Sequence, residues 1–164
     1  KNIFFINKYH LLDILKKNNL IESFKIKKIY PNSIEVQIKK TNLLAITNHN
    51  GINFFIGSNG KLIDYDFSNK NLPYVFGKIK GVDFINFIKI IEQSIFDFGE
   101  ISEMYFFPSG RWDIKNKDDI LFKLPKKNLL KSLNLAHRIV KNEQLKNSKV
   151  IDLRISNHIF STDE

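Results

Sequence analysis

The chain has 164 residues, 43% hydrophobic and 13% aromatic, enough apolar surface for one substantial core or two small ones and far too much for a disordered segment. Lys and Arg number 26 against 17 Asp and Glu, and the resulting +9 is compatible with nucleic acid, an anionic membrane surface or an acidic partner. Cys is absent, which excludes disulfides, thiolate metal sites and thiol catalysis together and leaves the compartment open.

The sequence opens at Lys1 without an initiator Met and runs at once into Ile3-Phe4-Phe5-Ile6, which reads as a fragment whose beginning lies upstream. No apolar run reaches the roughly 18 residues of a bilayer span, and the first residues lack a signal-peptide pattern. Leu11, Leu12, Leu15 and Leu20 recur at helical spacing, predicting one short helix over 7–19 with Asn7 as its N-cap and Asn18-Asn19 as its stop. Phe24 to Ile29 then meets the turn Tyr30-Pro31-Asn32-Ser33. Beyond it Ile34, Val36 and Ile38 alternate with Glu35, Gln37 and Lys39, so the segment reads as a hairpin packed on the helix with one wet face.

A meander follows. Residues 43–47, 52–56 and 61–65 are expected strands, separated by Asn48-His49-Asn50-Gly51 and Gly57-Ser58-Asn59-Gly60, whose Asn-Gly pairs supply the positive φ angles of hairpin turns. Residues 66–71 form a polar loop, and Leu72 to Gly77 is a short extended piece that Pro73 places at a sheet edge or at a point where the chain joins the sheet. Phe84, Phe87, Ile88, Ile91 and Ile95 mark one face of a helix over 83–98, closed by Gly99. Residues 102–107 and the stretch around Trp112 and Ile114 are the next strands, and Lys117-Asp118-Asp119 turns the chain into 120–124. Pro125 suits the start of a helix over about 127–143 with Leu129, Leu133, Ala136 and Val140 inward and Lys131 and Lys141 in water. Last comes a strand over 150–155 with Ile151, Leu153 and Ile155 on one face and Asp152 and Arg154 on the other; placed late in the chain, it is expected at a sheet edge. Ile159 and Phe160 offer one further strand before the polar end.

Chemistry is sparse in this pattern. His10, His49, His137 and His158 lie on unrelated elements without a second ligand at metal-binding spacing, so no metal site or cofactor is expected. Asp64 with Asp66, and Asp118 with Asp119, are carboxylate pairs in or beside turns, where Asp is ordinary turn chemistry. Gly57 to Gly60 lacks the Gly-Lys-Ser/Thr ending of a phosphate loop, and no Gly-x-Ser-x-Gly occurs. The lysines scatter along the whole chain and Arg appears only at 111, 138 and 154, so nucleic-acid binding is not expected. The apolar 84–98 helix suits a core better than a membrane surface because its polar face is not notably basic. No catalytic constellation emerges, and the reading is of a binding module, not an enzyme.

The ordered motifs resemble the extracytoplasmic part of the FtsQ/DivIB cell-division family. Ile29-Tyr30-Pro31-Asn32-Ser33-Ile34-Glu35-Val36 with the preceding helix is similar to the second half of that family's POTRA domain. Asn59-Gly60-Lys61-Leu62-Ile63, Leu72-Pro73-Tyr74-Val75-Phe76-Gly77, Arg111-Trp112-Asp113-Ile114, Leu124-Pro125 and Ile151-Asp152-Leu153-Arg154 resemble successive motifs of its β domain. Residues 41–45 depart from the family's Glu-Arg-x-Pro-x-Ala, keeping only Ala45. The resemblance implies an α+β fold: a partial POTRA domain (helix plus β-hairpin) over 1–43, then a mostly antiparallel twisted sheet with two packed helices over 44–164.

It also implies a non-catalytic scaffold that binds FtsB and FtsL, which act with the septal peptidoglycan synthase. The region would lie in the periplasm, tethered to the inner membrane by one upstream transmembrane helix. In the family the partner adds as a strand beside the last strand, here residues 156–160. The implied binding residues are Arg154, Ile155, Ser156, Asn157, His158, Ile159, Phe160 and, on a neighbouring strand, Arg111; either Arg could meet a partner carboxylate. Where some members carry an aromatic residue directly after that Arg, this chain has Ile155, and Phe160 is the alternative anchor. A different POTRA-bearing envelope protein, of outer-membrane assembly or two-partner secretion, is the second reading.

Overall fold

The computed structural model describes residues 8–64, 71–141, 148–155 and 160–162. Helix α1 (Lys8–Lys17) buries Leu15 and half-buries Leu11 and Leu12, with Asp13 and Lys17 paired at 2.7 Å on the wet side. It stops where the Asn18 side-chain oxygen accepts from Leu20 N–H, a local bond that competes with the helix. Strands β1 (Ile21–Ile29) and β2 (Ser33–Lys40) form an antiparallel hairpin of their own, with Phe24 opposite Ile38 and Ile26 opposite Val36.

The remaining strands form one nine-stranded sheet in the order β11-β10-β9-β8-β7-β6-β3-β4-β5. They are β3 (Leu43–His49), β4 (Ile52–Gly57), β5 (Leu62–Asp64), β6 (Tyr74–Phe76), β7 (Ile101–Phe106), β8 (Trp112–Asn116), β9 (Leu121–Lys123), β10 (Val150–Asp152) and β11 (Phe160–Thr162). Most pairs are antiparallel, as expected of this α+β chain. The β3–β6, β6–β7 and β9–β10 pairs are parallel. Parallel neighbours need a crossover, and helices α2 (Gly81–Gln93) and α3 (Leu129–Val140) supply two of them, between β6 and β7 and between β9 and β10.

One residue from each central strand points to the helices in a continuous row: Val75, Met104, Ile114, Phe122 and Ile151 are in register and buried. Against them α2 sets Phe84, Phe87, Ile88 and Ile91, and α3 sets Leu133, Ala136 and Ile139. Trp112 lies flat on Phe87, ring centroids 4.3 Å apart. Burial of each large side chain in such a layer contributes about 1.5–3 kcal/mol, so this row fixes which face of every strand remains outward.

Three expectations need correction. Helix α2 ends at Gln93, not Phe98, because Ser94 N–H and its hydroxyl both donate to Ile91 O and the Ser94 backbone turns extended; Ile95 is then exposed, and Gly99 lies within a separate 3-10 turn, Phe98–Glu100. Of the two positions that Pro73 left open, the second holds: it leads the chain into β6, which lies inside the sheet between β3 and β7 and not at an edge. Pro125 does not open α3: Leu124 N–H still bonds the Asp113 carboxylate and the chain bends through Asn128, in left-handed backbone, before Leu129.

The third concerns the carboxy-terminal strand. Arg154 N–H bonds back to the Asp152 carboxylate at 3.0 Å, an Asx-type turn that lifts the chain out of the ladder. Alternation therefore stops after Leu153, and Ile155 is 56% exposed instead of sharing the inward face of Ile151 and Leu153. Strand β10 is also not the edge, since it lies between β9 and β11.

The hairpin is fastened to the large sheet by the β4–β5 turn. The Asn59 side-chain amide donates to Asn19 O at 2.9 Å and Ile21 O at 3.3 Å, Asn19 in turn donates to Leu62 O, and Ser58 hydroxyl donates to Glu22. Lys61 Nζ donates to Lys16 O, a carbonyl in the last turn of α1 where a cation is favoured. Gly60 and Gly81 touch backbone to backbone on the other side of the turn, where a Cβ on Gly81 would fall 2.0 Å from Gly60 O.

Candidate functional site

The inward row dictates an outward one. Reading across the sheet, Phe76, Tyr105, Asp113, Lys123, Asp152 and Phe160 stand in register on the face away from the helices. It runs from aromatic to charged and ends on β11. Phe76 and Tyr105 stack with centroids 5.0 Å apart, and the Tyr105 hydroxyl, bonded to Glu103, is pushed up to about 12, first by burial and then by that carboxylate.

The two predicted arginines flank the charged stretch. Arg111 forks onto Asp113, Nε to Oδ1 at 3.2 Å and Nη2 to Oδ2 at 3.1 Å, with its guanidinium 4.1 Å over the Phe107 ring. Arg154 forks onto Asp152 in the same way, Nε lying 2.9 Å from each carboxylate oxygen. A bidentate guanidinium–carboxylate pair is strong and fixes orientation, so each Asp holds an Arg at a set angle on the outward face. Lys123 stands between the two carboxylates on the intervening strand.

The carboxylates differ in environment. Asp113 is 3% exposed, and burial pushes its carboxyl up despite the opposing pull of Leu124 N–H, Arg111 and the more distant Arg154. Asp152 is held below the usual carboxylate range, chiefly by the Arg154 hydrogen bonds. The Arg154 guanidinium is raised by the same contact.

Of the predicted site residues, Arg111, Arg154, Ile155 and Phe160 lie where they can be described, and Ser156, Asn157, His158 and Ile159 lie outside the described residues. Ile155 and Phe160 are both more than half exposed. The sequence reading missed Asp113, Lys123 and the placement of Asp152 among them. A signal was available: Arg111-Trp112-Asp113 and Asp152-Leu153-Arg154 are mirrored charge pairs at strand spacing, and i, i+2 on a strand means one face. Among the described residues no cluster of three or more His, Asp or Glu side chains is arranged to hold a metal, and no helix is long and apolar enough to cross a membrane.

Comparison with known proteins adds three findings. A family model described as cell division protein FtsQ/DivIB, C-terminal, matches residues 45–154. Two proteins named cell division protein FtsQ, from Rhizobium radiobacter and Agrobacterium fabrum, are each 28% identical over 144 residues; the alignment covers 83% of this chain and 67% and 44% of theirs. The major extracytoplasmic domain of the trans isomer of the cell-division protein DivIB from Geobacillus stearothermophilus is similar at TM-score 0.46 and 14% identity, covering 62% of this chain and 92% of that one.

Proposed function

We propose that this chain, which belongs to the FtsQ/DivIB family of cell-division proteins, is a non-catalytic scaffold on which a partner strand extends the sheet beside β11. The partners this reading names are FtsB and FtsL, through which the scaffold is linked to septal peptidoglycan synthesis. The region would lie in the periplasm, tethered at the inner membrane by a transmembrane helix outside residues 1–164. The family match favours this over a role in outer-membrane assembly or secretion. Nucleic acid has no part in it.

One observation carries the proposal: among the described residues the sheet order ends at β11, and the charged row leads directly to it. Backbone pairing at a sheet end supplies affinity with little sequence demand, while flanking side chains select the partner. With β11 only three residues long, a few ladder bonds at about 0.5–1.5 kcal/mol each do not by themselves offset an association cost of about 4–15 kcal/mol. The remainder would come from Arg154 and Arg111 meeting partner carboxylates, from Phe160 or Ile155 as an apolar anchor, and from co-tethering in one bilayer, which raises effective concentration.

The test is titration of this chain with the C-terminal segment of FtsB. Arg154→Glu is expected to weaken binding at least tenfold while costing about 1 kcal/mol or less in stability, since Arg154 is exposed and its bonds among the described residues go to the Asp152 carboxylate. Undiminished binding by that variant and by Phe160→Ala would reject this surface.

A further inference from the structure

We propose that the tip of the β1–β2 hairpin is a contact for anionic lipid headgroups at a membrane surface. The sequence scatters its lysines, but residues 8–40 hold eight Lys against three carboxylates. Two of those carboxylates are engaged away from the tip, Asp13 with Lys17 and Glu22 with Lys39. The third, Glu35, lies opposite Lys27 and accepts from the Gln37 amide. Lys25, Lys27 and Lys28 are all exposed and lead up to the turn.

At the turn itself the exposed groups are apolar. Tyr30 is 80% exposed and Ile29 46%, followed by exposed Pro31 and Asn32. A ring with a polar hydroxyl beside a branched aliphatic side chain, shouldered by lysines, is the chemistry that settles at the level of lipid headgroups: Tyr keeps its hydroxyl wet while its ring enters the acyl boundary, and Lys stays at the phosphates. The tip is convex, so it suits a soft interface that yields to it better than a rigid protein surface that would need a matching pocket.

The joint with the large sheet supports the same geometry. Asn59 and Ser58 grip the base of the hairpin at Asn19, Ile21 and Glu22, while the tip lies at the other end of a nine-residue strand, about 30 Å away at the usual rise. The finger is thus held at its root with its cationic, aromatic end projecting. This inference stands apart from strand addition at β11, which uses the opposite portion of the chain.

The experiment is flotation of the 164-residue chain with vesicles of phosphatidylcholine containing 30% phosphatidylglycerol, and with pure phosphatidylcholine, at 0.1 M and 0.5 M NaCl. Binding is expected to the anionic vesicles only and to fall at the higher salt. Tyr30→Ser and the pair Lys27→Glu, Lys28→Glu should each lower partitioning by about tenfold or more. Lys131→Glu with Lys141→Glu, the same charge change on α3 and at its C-cap, should stay within about twofold of the parent. Equal loss in both charge-reversed variants would mean adsorption by net charge alone and would overturn the proposal. So would unchanged binding of Tyr30→Ser, or no binding to anionic vesicles, the result expected if the tip instead meets an acidic protein.

Discussion

Asp113 and Asp152 stand two strands apart on one outward row with Lys123 between them, each gripping an arginine two residues along its own chain. Burial raises the first and hydrogen bonding lowers the second. Carboxyl NMR titration should therefore place the Asp113 midpoint above the usual Asp range and the Asp152 midpoint below it. The stability consequences have opposite sign. Asp113, raised on folding, favours the folded chain more as pH falls through its folded value; Asp152 contributes stability above its unfolded value that is lost as pH falls through its lowered one. Equal midpoints would show that the two forks are not held as described.

Asp113→Ala removes the acceptor for Leu124 N–H and strands a guanidinium that is mostly covered. The expected cost is about 2–4 kcal/mol in denaturant unfolding. Asp152→Ala, on a more exposed fork, should cost about 0–1 kcal/mol. Similar values for the two would contradict the difference in burial.

Helix α2 gives a sharper contrast between neighbours. Phe87→Ala, beneath Trp112, should cost about 3–5 kcal/mol, whereas Ile95→Ala, past the helix end and exposed, should stay within about 0.5 kcal/mol. A large cost at Ile95 would restore the longer helix read from its spacing.

Much of this was legible from local chemistry. Asn48 to Gly51 and Gly57 to Gly60 announce antiparallel hairpins because their dihedral demands are local, and β3, β4 and β5 pair accordingly. The parallel pairs carry no turn signal, yet each of two follows from strand, helix and strand in succession, and this pattern was present around α2 and α3. Helix ends were misjudged at Ser94 and Pro125 because they are decided by bonds to Ile91 O and the Asp113 carboxylate, which spacing does not display. At the site, Arg111 and Arg154 were found from motif resemblance and Asp113 was signalled by its strand spacing from Arg111, while Lys123 emerged only once register brought β8, β9 and β10 side by side. The Asn59 joint was invisible in sequence for the same reason: its partners are backbone carbonyls some 40 residues away.

That joint is separately testable. Asn59→Ala removes both bonds to the base of the hairpin and the acceptor for Lys61 N–H, at about 1–2 kcal/mol. Amide exchange should accelerate in β1 and β2 and remain unchanged at Met104 and Phe122 in the central sheet. Uniform acceleration across both sheets would show that Asn59 supports the whole fold instead of the joint.

Strand addition at the carboxy-terminal end of the sheet is most directly tested by amide hydrogen exchange on this chain with and without saturating FtsB C-terminal peptide. Protection should appear at residues 160–162 and extend to Val150–Asp152, with β5 at the far end of the sheet unaffected. Protection confined to β5 or to the β1–β2 hairpin, or peptide binding that leaves β11 exchanging as before, would contradict the account.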